Sequence, residues 1–390
     1  MKEKSQPHRY WMLSLILLAA LALFWTTLIV TERAVESARL LPKITPEPIW
    51  HSFQLTDEPI HREVWDSGSG VEVYKNYILW SEQDYLPLGT GGTPSCIEEE
   101  TKLASMFLSW PQPFVGYGDA DICLFDSHTG LITRLIDSNE TDTAPSMDGD
   151  WVAFERTASN VPRIVLYNLT SGQETVITET IFSGGTNPVI SGDWVAYDSP
   201  FTGELYAYKL STGQIFTLMP YSTYYLAGFD MHEQTVVWNN QSNAGDYAIL
   251  SYNLTSQTAF TVSTQVNFWS TTKIYGDIIV WDWNEDIYGY DLSSSQYLTI
   301  TNDPYPQSSP DIYENIVVWW DGRHGRSDIY GIDLQSGQIF SVTQEANPVQ
   351  DVLYPDIWGD IVAWQGSGNQ GAAAAIKMTD FSFMPLFNRP

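Results

Sequence analysis

The sequence repeats itself about every 40 residues from near position 72 to its end. The consensus of the repeat reads Pro-x-Ile, a tight turn, an aliphatic run that ends on an aromatic residue, an Ile-Tyr-x-Tyr-Asp-like segment and a Thr-rich segment. The aromatic anchors are Trp80, Phe154, Tyr197, Trp238, Trp281, Trp319 and Trp364, with separations of 74, 43, 41, 43, 38 and 45 residues. A period near 40 that holds four short strands predicts a β-propeller in which each repeat is one blade.

Each repeat divides into four predicted strands, A to D, and strand A is the Pro-x-Ile segment. The seven aromatic anchors at the end of strand B, matched by seven C strands, predict an all-β, seven-bladed propeller with four-stranded antiparallel blades over residues 50–390. Trp50–Thr56 resembles a strand D without a blade, and the last repeat ends after strand C. We therefore expect the N-terminal strand to pair with the C-terminal blade, which closes the ring and removes open sheet edges.

A predicted transmembrane helix precedes the propeller. Residues 11–30 contain no charged side chain over 20 positions, about the length that a bilayer core requires. Lys2, Lys4 and Arg9 precede the apolar segment, so the positive-inside rule predicts a cytoplasmic stub at 1–10 and an extracytoplasmic propeller after a stalk at 31–49. The protein is thus predicted to be a single-pass plasma membrane protein with an uncleaved signal anchor. The alternative is a cleaved signal peptide.

Charge and cysteine content restrict the partners and the compartment. The net charge is −29, and such an acidic surface repels phosphate backbones, so nucleic acid is not expected as a partner. Both cysteines, Cys96 and Cys123, fall in the first repeat. Outside the membrane they could form a disulfide, and the alternative is two unpaired thiols.

The repeats resemble those of the TolB-like β-propeller superfamily. The best-matching segments are Ser308–Thr343 and Asp142–Thr178, which carry in order Pro-x-Ile or Pro-Ser-Met, Val-Val-Trp or Val-Ala-Phe, and Asp-Ile-Tyr or Ile-Val-Leu-Tyr. The resemblance covers about residues 50–383 and implies four-stranded propeller blades. The sequence departs from it in two places: Met147-Asp148-Gly149-Asp150 is the closest approach to a Ser-Pro-Asp-Gly turn, and no α/β domain precedes the propeller.

No motif for catalysis or for a cofactor stands out. The sequence has no Gly-x-Ser-x-Gly elbow, and its histidines are too scattered for a zinc site, so neither a metal nor a cofactor is predicted. Asp282–Asp286 alternates oxygen-bearing side chains as a calcium loop does, but it lacks the turn glycine. A polar hairpin loop is the simpler interpretation.

Strand order places the binding function on one face. The A–B and C–D turns are short and share one face, which we call the turn face; the longer B–C and D–A connections share the other, the loop face. Long loops on a rigid scaffold usually carry binding residues. The predicted contacts with a partner are Trp110, Phe114, Trp283, Trp320, Asp321, Arg323 and His324.

The long first separation indicates an insertion at residues 83–118 in the first blade. Its aromatic content favours either a partner-binding segment or a lid over the core of that blade. Our leading hypothesis is a non-catalytic, membrane-anchored binding scaffold for a protein or cell-envelope partner. The alternatives are a structural cell-surface component and a glycan-active enzyme that uses carboxylates around the channel.

Overall fold

The computed structural model describes residues 49–56, 71–87, 114–178, 184–219, 226–241, 245–267, 269–343, 352–366 and 372–378. The predicted stub, the predicted anchor and nearly all of the predicted stalk lie outside these ranges. Within them, no helix has the length and apolar character needed to cross a membrane.

The described strands are all antiparallel and form seven four-stranded sheets. Six sheets are built from four consecutive strands, and we number them blades 1 to 6. Blade 1 contains β2 (Val71–Tyr74), β3 (Tyr77–Pro87), β4 (Phe114–Asp126) and β5 (Leu131–Ile136). Blade 2 contains β6 (Thr141–Asp148), β7 (Trp151–Ala158), β8 (Val161–Asn168) and β9 (Gln173–Val176). Blade 3 contains β10 (Thr186–Ser191), β11 (Trp194–Asp198), β12 (Leu205–Lys209) and β13 (Gln214–Met219).

The remaining sheets follow the same order. Blade 4 contains β14 (Leu226–His232), β15 (Thr235–Gln241), β16 (Tyr247–Asn253) and β17 (Thr258–Ser263). Blade 5 contains β18 (Thr272–Tyr275), β19 (Ile278–Trp283), β20 (Asp286–Asp291) and β21 (Gln296–Thr299). Blade 6 contains β22 (Gln307–Tyr313), β23 (Ile316–Asp321), β24 (Asp328–Asp333) and β25 (Gln338–Ser341). The seventh sheet, blade 7, joins β26 (Val352–Trp358), β27 (Ile361–Gly366) and β28 (Ala372–Met378) to β1 (Ile49–Thr56).

Blade 7 closes the ring as the sequence predicts. β1 pairs antiparallel with β28 in the order β1-β28-β27-β26, from Ile49 opposite Met378 to Thr56 opposite Ala372. The first strand of the propeller therefore covers an edge that the last blade would otherwise expose. The expected four-stranded antiparallel blades and their closure by the N-terminal strand are confirmed.

The hydrophobic core lies between neighbouring blades. The predicted aromatic anchors are all buried, and Trp80, Phe154, Trp319 and Trp364 have no exposed surface at all. Trp319 of blade 6, for example, packs in one cluster with residues of blade 5. The B-strand aromatics therefore hold the blades together, as the repeat pattern predicts.

A β-bulge recurs in the first strand of several blades, beside the Pro of Pro-x-Ile. Pairing shifts register between Thr143 and Ser146 in β6, and equivalent shifts occur in β10, β22 and β26. In each bulge one residue takes positive φ; these residues are Ala144, Asn187, Ser309 and Tyr354. Proline has no N–H to give to a ladder, so a bulge on an edge strand accommodates it.

The insertion in blade 1 begins and ends as strand. β3 continues to Pro87 and β4 begins at Phe114, with Gln83 opposite Ala120 and Tyr85 opposite Tyr117. The ends of the segment predicted as a loop, 83–118, are thus paired, because the two strands continue their ladder beyond the length typical of this fold. Residues 88–113 lie outside the described part of the chain.

Candidate functional site

One residue from each blade lines the central channel at the same register position. Each lies opposite the residue that precedes the aromatic anchor in the second strand, as Asp311 lies opposite Val318. We call this set the channel ring; it consists of Glu72, Ser146, Val189, Asp230, Lys273, Asp311 and Asp356. In three blades the ring residue is the central x of Pro-x-Ile, and in blade 2 it is the central residue of Pro145-Ser146-Met147.

Most ring side chains bind the backbone of the next blade. Asp356 Oδ1 accepts a hydrogen bond of 2.8 Å from Val73 N of blade 1, and Asp311 Oδ2 accepts one of 2.7 Å from Ile357 N of blade 7. Asp230 Oδ2 likewise accepts one of 2.8 Å from Ile274 N of blade 5. These carboxylates satisfy N–H groups on the inner edge of each sheet, which would otherwise be buried without a partner.

The same contact recurs with weaker geometry at two other blade boundaries. Ser146 Oγ accepts from Ile190 N at 3.2 Å, and Glu72 Oε1 accepts from Met147 N at 3.5 Å. Val189 and Lys273 are the ring residues whose side chains cannot accept a hydrogen bond. Five of the seven ring residues therefore connect blade to blade.

Charge in the ring is unbalanced, because four acids face one lysine. Burial lowers the pKa of Lys273, but the nearby Asp230, Asp311, Asp356 and Glu72 outweigh this effect and raise its pKa above the ordinary value. Lys273 is therefore a fixed ammonium ion at neutral pH.

The acids of the ring hold protons unusually strongly. Burial raises the pKa of Glu72 to about 7, and burial together with the neighbouring acids raises the pKa values of Asp311 and Asp356 to about 8. Burial also raises the pKa of Asp230. Because the carboxyls influence one another, they titrate as a group, and the ring is only partly ionised near neutral pH.

A second ring lies two residues further along each first strand, where the channel opens on the turn face. We call it the mouth ring; it consists of Tyr74, Asp148, Ser191, His232, Tyr275, Tyr313 and Trp358. Five of these side chains form a continuous arc of aromatic contacts. Their centroids are 4.6 Å apart for Tyr74–Trp358, 4.7 Å for Trp358–Tyr313, 4.8 Å for Tyr313–Tyr275 and 4.3 Å for Tyr275–His232.

Polar members complete the mouth ring on the other side. The Tyr74 hydroxyl donates to Asp148 at 2.8 Å, and Asp148 also accepts from Gly192 N at 2.5 Å. His232 Nδ1 accepts from Gly276 N of the next blade at 3.1 Å. The mouth ring therefore repeats the blade-to-blade contact of the channel ring, while presenting aromatic rings around the opening.

The two rings enclose a cavity of about 650 Å³. Its wall includes the ring carboxylates, Lys273, and the mouth residues Tyr74, Tyr275 and Trp358. A cavity of this size and polarity can hold a small organic molecule or a side chain of a partner.

On the loop face, the predicted residues Asp321, Arg323 and His324 lie together in blade 6. Asp321 is fully buried and accepts hydrogen bonds from Arg323 Nε at 2.8 Å and from Trp319 Nε1 at 3.0 Å. Burial raises the pKa of Asp321, but these bonds outweigh it and lower its pKa below the ordinary value. The guanidinium carbon of Arg323 lies 3.9 Å from the ring centroid of Tyr330, and His324 Nε2 is 2.9 Å from the Tyr330 hydroxyl.

This arrangement assigns different tasks to the predicted residues. Asp321 supports its loop from inside the protein, because its buried carboxylate is occupied by Arg323 and Trp319. His324 is exposed and can contact a partner. Trp283 and Trp320 are half-buried; Trp283 packs against Tyr288 at 5.7 Å, and Trp320 packs on the core between blades 6 and 7.

Two of the predicted contacts with a partner involve side chains outside the described part of the structure. Trp110 and the side chain of Phe114 lie outside the described residues. Cys123 is buried in β4 and is disulfide-bonded, while Cys96 lies outside the described part of the chain.

The segment Asp282–Asp286 forms a tight hairpin. β19 ends at Trp283 and β20 begins at Asp286, and the two residues between them, Asn284 and Glu285, both take positive φ as in a type I′ turn. Asp282 accepts a hydrogen bond of 2.7 Å from Thr271 N, and burial raises its pKa to about 7. Among the described residues, no group of three or more His, Cys, Asp or Glu side chains is arranged to hold a metal ion.

Sequence reasoning missed three exposed aromatic residues among the loop-face residues that the structure describes. Trp269, in the connection from blade 4 to blade 5, is 75% exposed, and Tyr305, in the connection from blade 5 to blade 6, is 45% exposed. Phe201 is 51% exposed in the B–C loop of blade 3. A search for aromatics between predicted strands D and A would have found two of them.

Comparison with known proteins supports the fold and no more. No family model matches the sequence, and no curated protein does. The β-propeller domain of the Trilobed protease from Pyrococcus furiosus is similar at a TM-score of 0.57 and 11% identity, over 87% of this chain and all of that one. An acylaminoacyl peptidase is similar at a TM-score of 0.56 and 12% identity, over 80% of this chain and 52% of the peptidase.

TolB from Acinetobacter baumannii is also similar, at a TM-score of 0.42 and 12% identity over 68% of this chain and 78% of TolB. Identities this low speak to the fold alone. The chain has the fold of a β-propeller, with four-stranded blades arranged in a ring.

Proposed function

We propose that this chain is a non-catalytic binding scaffold. Residues 11–30 hold it in the plasma membrane with the N-terminus in the cytoplasm, and the extracytoplasmic propeller binds a protein or cell-envelope partner with its loop face. The observation that carries the proposal is the exposure of Trp269 and Tyr305 in successive connections on that face. Exposed aromatics on a rigid support are typical of interaction surfaces.

The position of His324 supports a partner-binding site in the same sector of the loop face. It lies in the B–C loop of blade 6, next along the ring from the connection that carries Tyr305. Arg323 fixes the start of this loop through Asp321, so His324 is presented on an ordered base. Trp269, Tyr305 and His324 thus belong to blades 4 to 6 and form one candidate partner-binding sector.

The structural role of the channel-ring carboxylates favours a binding scaffold over an enzyme. A general acid or base must be able to exchange its proton with a substrate. Asp230, Asp311 and Asp356 each accept a backbone N–H of the next blade at 2.7–2.8 Å, so they have a structural task in the ring.

The test is cross-linking in intact cells, followed by identification of the cross-linked species. We expect a specific partner with the unaltered chain and its loss in the double variant Trp269→Ala/Tyr305→Ala. Ile339→Ala is the matched control, because Ile339 is an exposed apolar residue of blade 6 on the outer strand β25. Equal capture by the double variant would contradict the loop-face site. Ordered self-assembly without a partner would support a structural surface component instead.

The membrane topology has its own test. Protease added to intact cells should remove the propeller and leave a tag at Met1 protected. A mature protein that begins within residues 31–49 would show that the signal segment is cleaved.

A glycan-active enzyme is the second candidate, and the ring favours it in one respect. Carboxyls with raised pKa in a deep pocket are a common feature of acid–base catalysts. Asp311→Asn keeps the shape and an acceptor for Ile357 N but removes the acid. Cleavage of a polysaccharide by the unaltered chain and its loss in Asp311→Asn would support the enzyme; no cleavage of any polysaccharide tested supports the scaffold.

A further inference from the structure

The channel contains a site that the loop-face proposal does not use, and its chemistry differs from that of the loop face. Four carboxyls and one ammonium surround the inner part, and aromatic rings surround the opening. We propose that the channel binds a linear organic amine, with one ammonium group among the channel-ring carboxylates and a second against the aromatic arc of the mouth ring.

The unbalanced charge of the channel ring selects for a cation. Lys273 is the only basic residue of the ring, so it compensates one of four acids when all are ionised. An anion would be repelled, and a neutral sugar would leave the imbalance in place. A ligand ammonium compensates a second carboxylate in a site where screening by water is weak.

Lys273 also shows that these walls accept an alkylammonium group. Its own Nζ is carried on a four-carbon stem and is stabilised by the same four acids. The ligand we infer presents the same chemical group, entering from the turn face.

The mouth ring favours an organic ammonium over a metal ion. Aromatic faces attract ammonium groups, whereas a small, strongly hydrated metal ion prefers oxygen ligands. The chain already uses this interaction here, since Lys75 Nζ lies 4.8 Å from the ring centroid of Tyr74. Tyr275 and Trp358 present further rings along the wall of the cavity.

The spacing of the two rings fits a diamine. Channel-ring and mouth-ring residues are two positions apart on each first strand, as Lys273 and Tyr275 are in β18. Two residues of β-strand correspond to about 7 Å, which is comparable to the separation of the two ammonium groups in extended putrescine. The cavity of about 650 Å³ has room for such a chain.

Binding should strengthen as the pH rises. The carboxyls of Glu72, Asp311 and Asp356 must lose protons to pair with the ammonium, and their raised pKa values place this loss between about pH 7 and 8. The other charged or titratable side chains that line the cavity are Tyr74, Asp148, Asp198, His232, Glu233 and Tyr275, with Asp230 and Lys273 of the ring. Release of one proton on binding increases the association constant by up to about tenfold per pH unit.

The test is isothermal titration of the full-length chain with putrescine and with spermidine at pH 6 and pH 8.5. We expect binding that is stronger at the higher pH and about tenfold weaker in Asp311→Asn, whose amide oxygen can still accept from Ile357 N. Lys273→Met should bind putrescine more tightly, because it removes the competing ammonium. A variant that fails to fold would lose binding, so tighter binding by Lys273→Met cannot result from misfolding.

Asp277→Asn is the matched control, since Asp277 is an exposed acid in the A–B turn of blade 5, on the same face. Its binding should stay within about twofold of the unaltered chain. An equal loss in Asp277→Asn would mean non-specific attraction to an acidic surface and would overturn the site. Weaker binding in Lys273→Met, or binding of Ca²⁺ or Mn²⁺ but of neither amine, would overturn it as well.

The result is separable from that of the loop-face proposal. Trp269→Ala/Tyr305→Ala should leave putrescine binding unchanged, because these residues do not line the channel cavity. Loss of amine binding in that variant would contradict the channel as the place of binding.

Discussion

Two of the buried aspartates of blade 6, Asp311 and Asp321, have pKa values that shift in opposite directions. Asp311, on β22, is 7% exposed and faces the channel, and Asp321, at the end of β23, has no exposed surface and lies under the loop face. The pKa of Asp311 is raised to about 8, whereas that of Asp321 is lowered. Both side chains have little or no solvent-exposed surface, so exposure alone does not explain the difference.

The partners of each carboxylate explain it. Asp321 binds the guanidinium of Arg323 at 2.7 and 2.8 Å, which stabilises the charged form. Asp311 receives a single neutral backbone N–H from Ile357 and faces other acids across the channel. The loop face has thus neutralised its buried charge internally, while the channel retains charge that a ligand can neutralise.

The largest expected effect on the free energy of unfolding comes from removing Asp321, whose negative charge is compensated by Arg323. Asp321→Ala leaves the indole N–H of Trp319 without its acceptor and leaves Arg323 with the longer 3.4 Å contact to Asp303, and breaking a buried ion pair of this kind costs about 3 kcal/mol. Asp311→Ala leaves one backbone N–H without its acceptor but also removes an acid from a crowded ring, so we expect a loss of about 1 kcal/mol. Urea unfolding of both variants measures the difference. A larger loss in Asp311→Ala would break the comparison.

The next effect is on the pH dependence of stability. Glu72, Asp311 and Asp356 have folded pKa values of about 7 to 8, above their ordinary values of 4.5 and 3.8, so the folded chain retains protons that the unfolded chain has released. Their contribution is fully present below about pH 4 and is lost as the pH rises towards 8. Asp321, with its lowered pKa, contributes the opposite term, which is lost in acid.

We therefore expect the free energy of unfolding to fall between pH 5 and pH 8.5. Each group held one pKa unit above its unfolded value accounts for about 1.4 kcal/mol. Asp311→Asn should flatten the curve, and Asp321→Asn should leave its slope in this range unchanged. A stability that increases steadily from pH 5 to 8.5 would contradict the raised pKa values of the ring.

The smallest effect on stability is expected on the loop face. Trp269→Ala should change the free energy of unfolding by less than about 0.5 kcal/mol, because the side chain is largely exposed. Its consequence should instead appear in partner capture. A loss of several kcal/mol would show that Trp269 is structural and would remove it from the candidate binding sector.

The sequence predicted the blades well because the repeat is set by local turns and by packing between blades. The aromatic anchors, the Gly-Asp turns and the orphan strand at Trp50–Thr56 each report a position that every blade needs. The pairing of β1 with the last blade, β26–β28, could be predicted from this pattern alone.

The channel could not be predicted in the same way, although its signal was present. The residue at the channel-ring position differs between blades, from Ser146 and Val189 to Lys273 and the acidic residues, so it is not part of the repeat consensus. In a search for shared residues such a position is ignored. The side-chain contacts of Asp321 were also hidden, because its partner Arg323 follows two residues later in a segment that reads as an exposed polar loop.

The most direct test of the account is a titration of the aspartate carboxyl groups by carbon-13 NMR. Protein labelled at the aspartate side-chain carboxyl is followed from pH 3 to pH 10, and the Asp311→Asn and Asp321→Asn variants assign the two signals. We predict that the Asp311 signal titrates near pH 8, together with that of Asp356, and that the Asp321 signal titrates below the ordinary aspartate value of 3.8. A midpoint near 4 for Asp311 would contradict the account, because the channel would then be fully ionised at neutral pH.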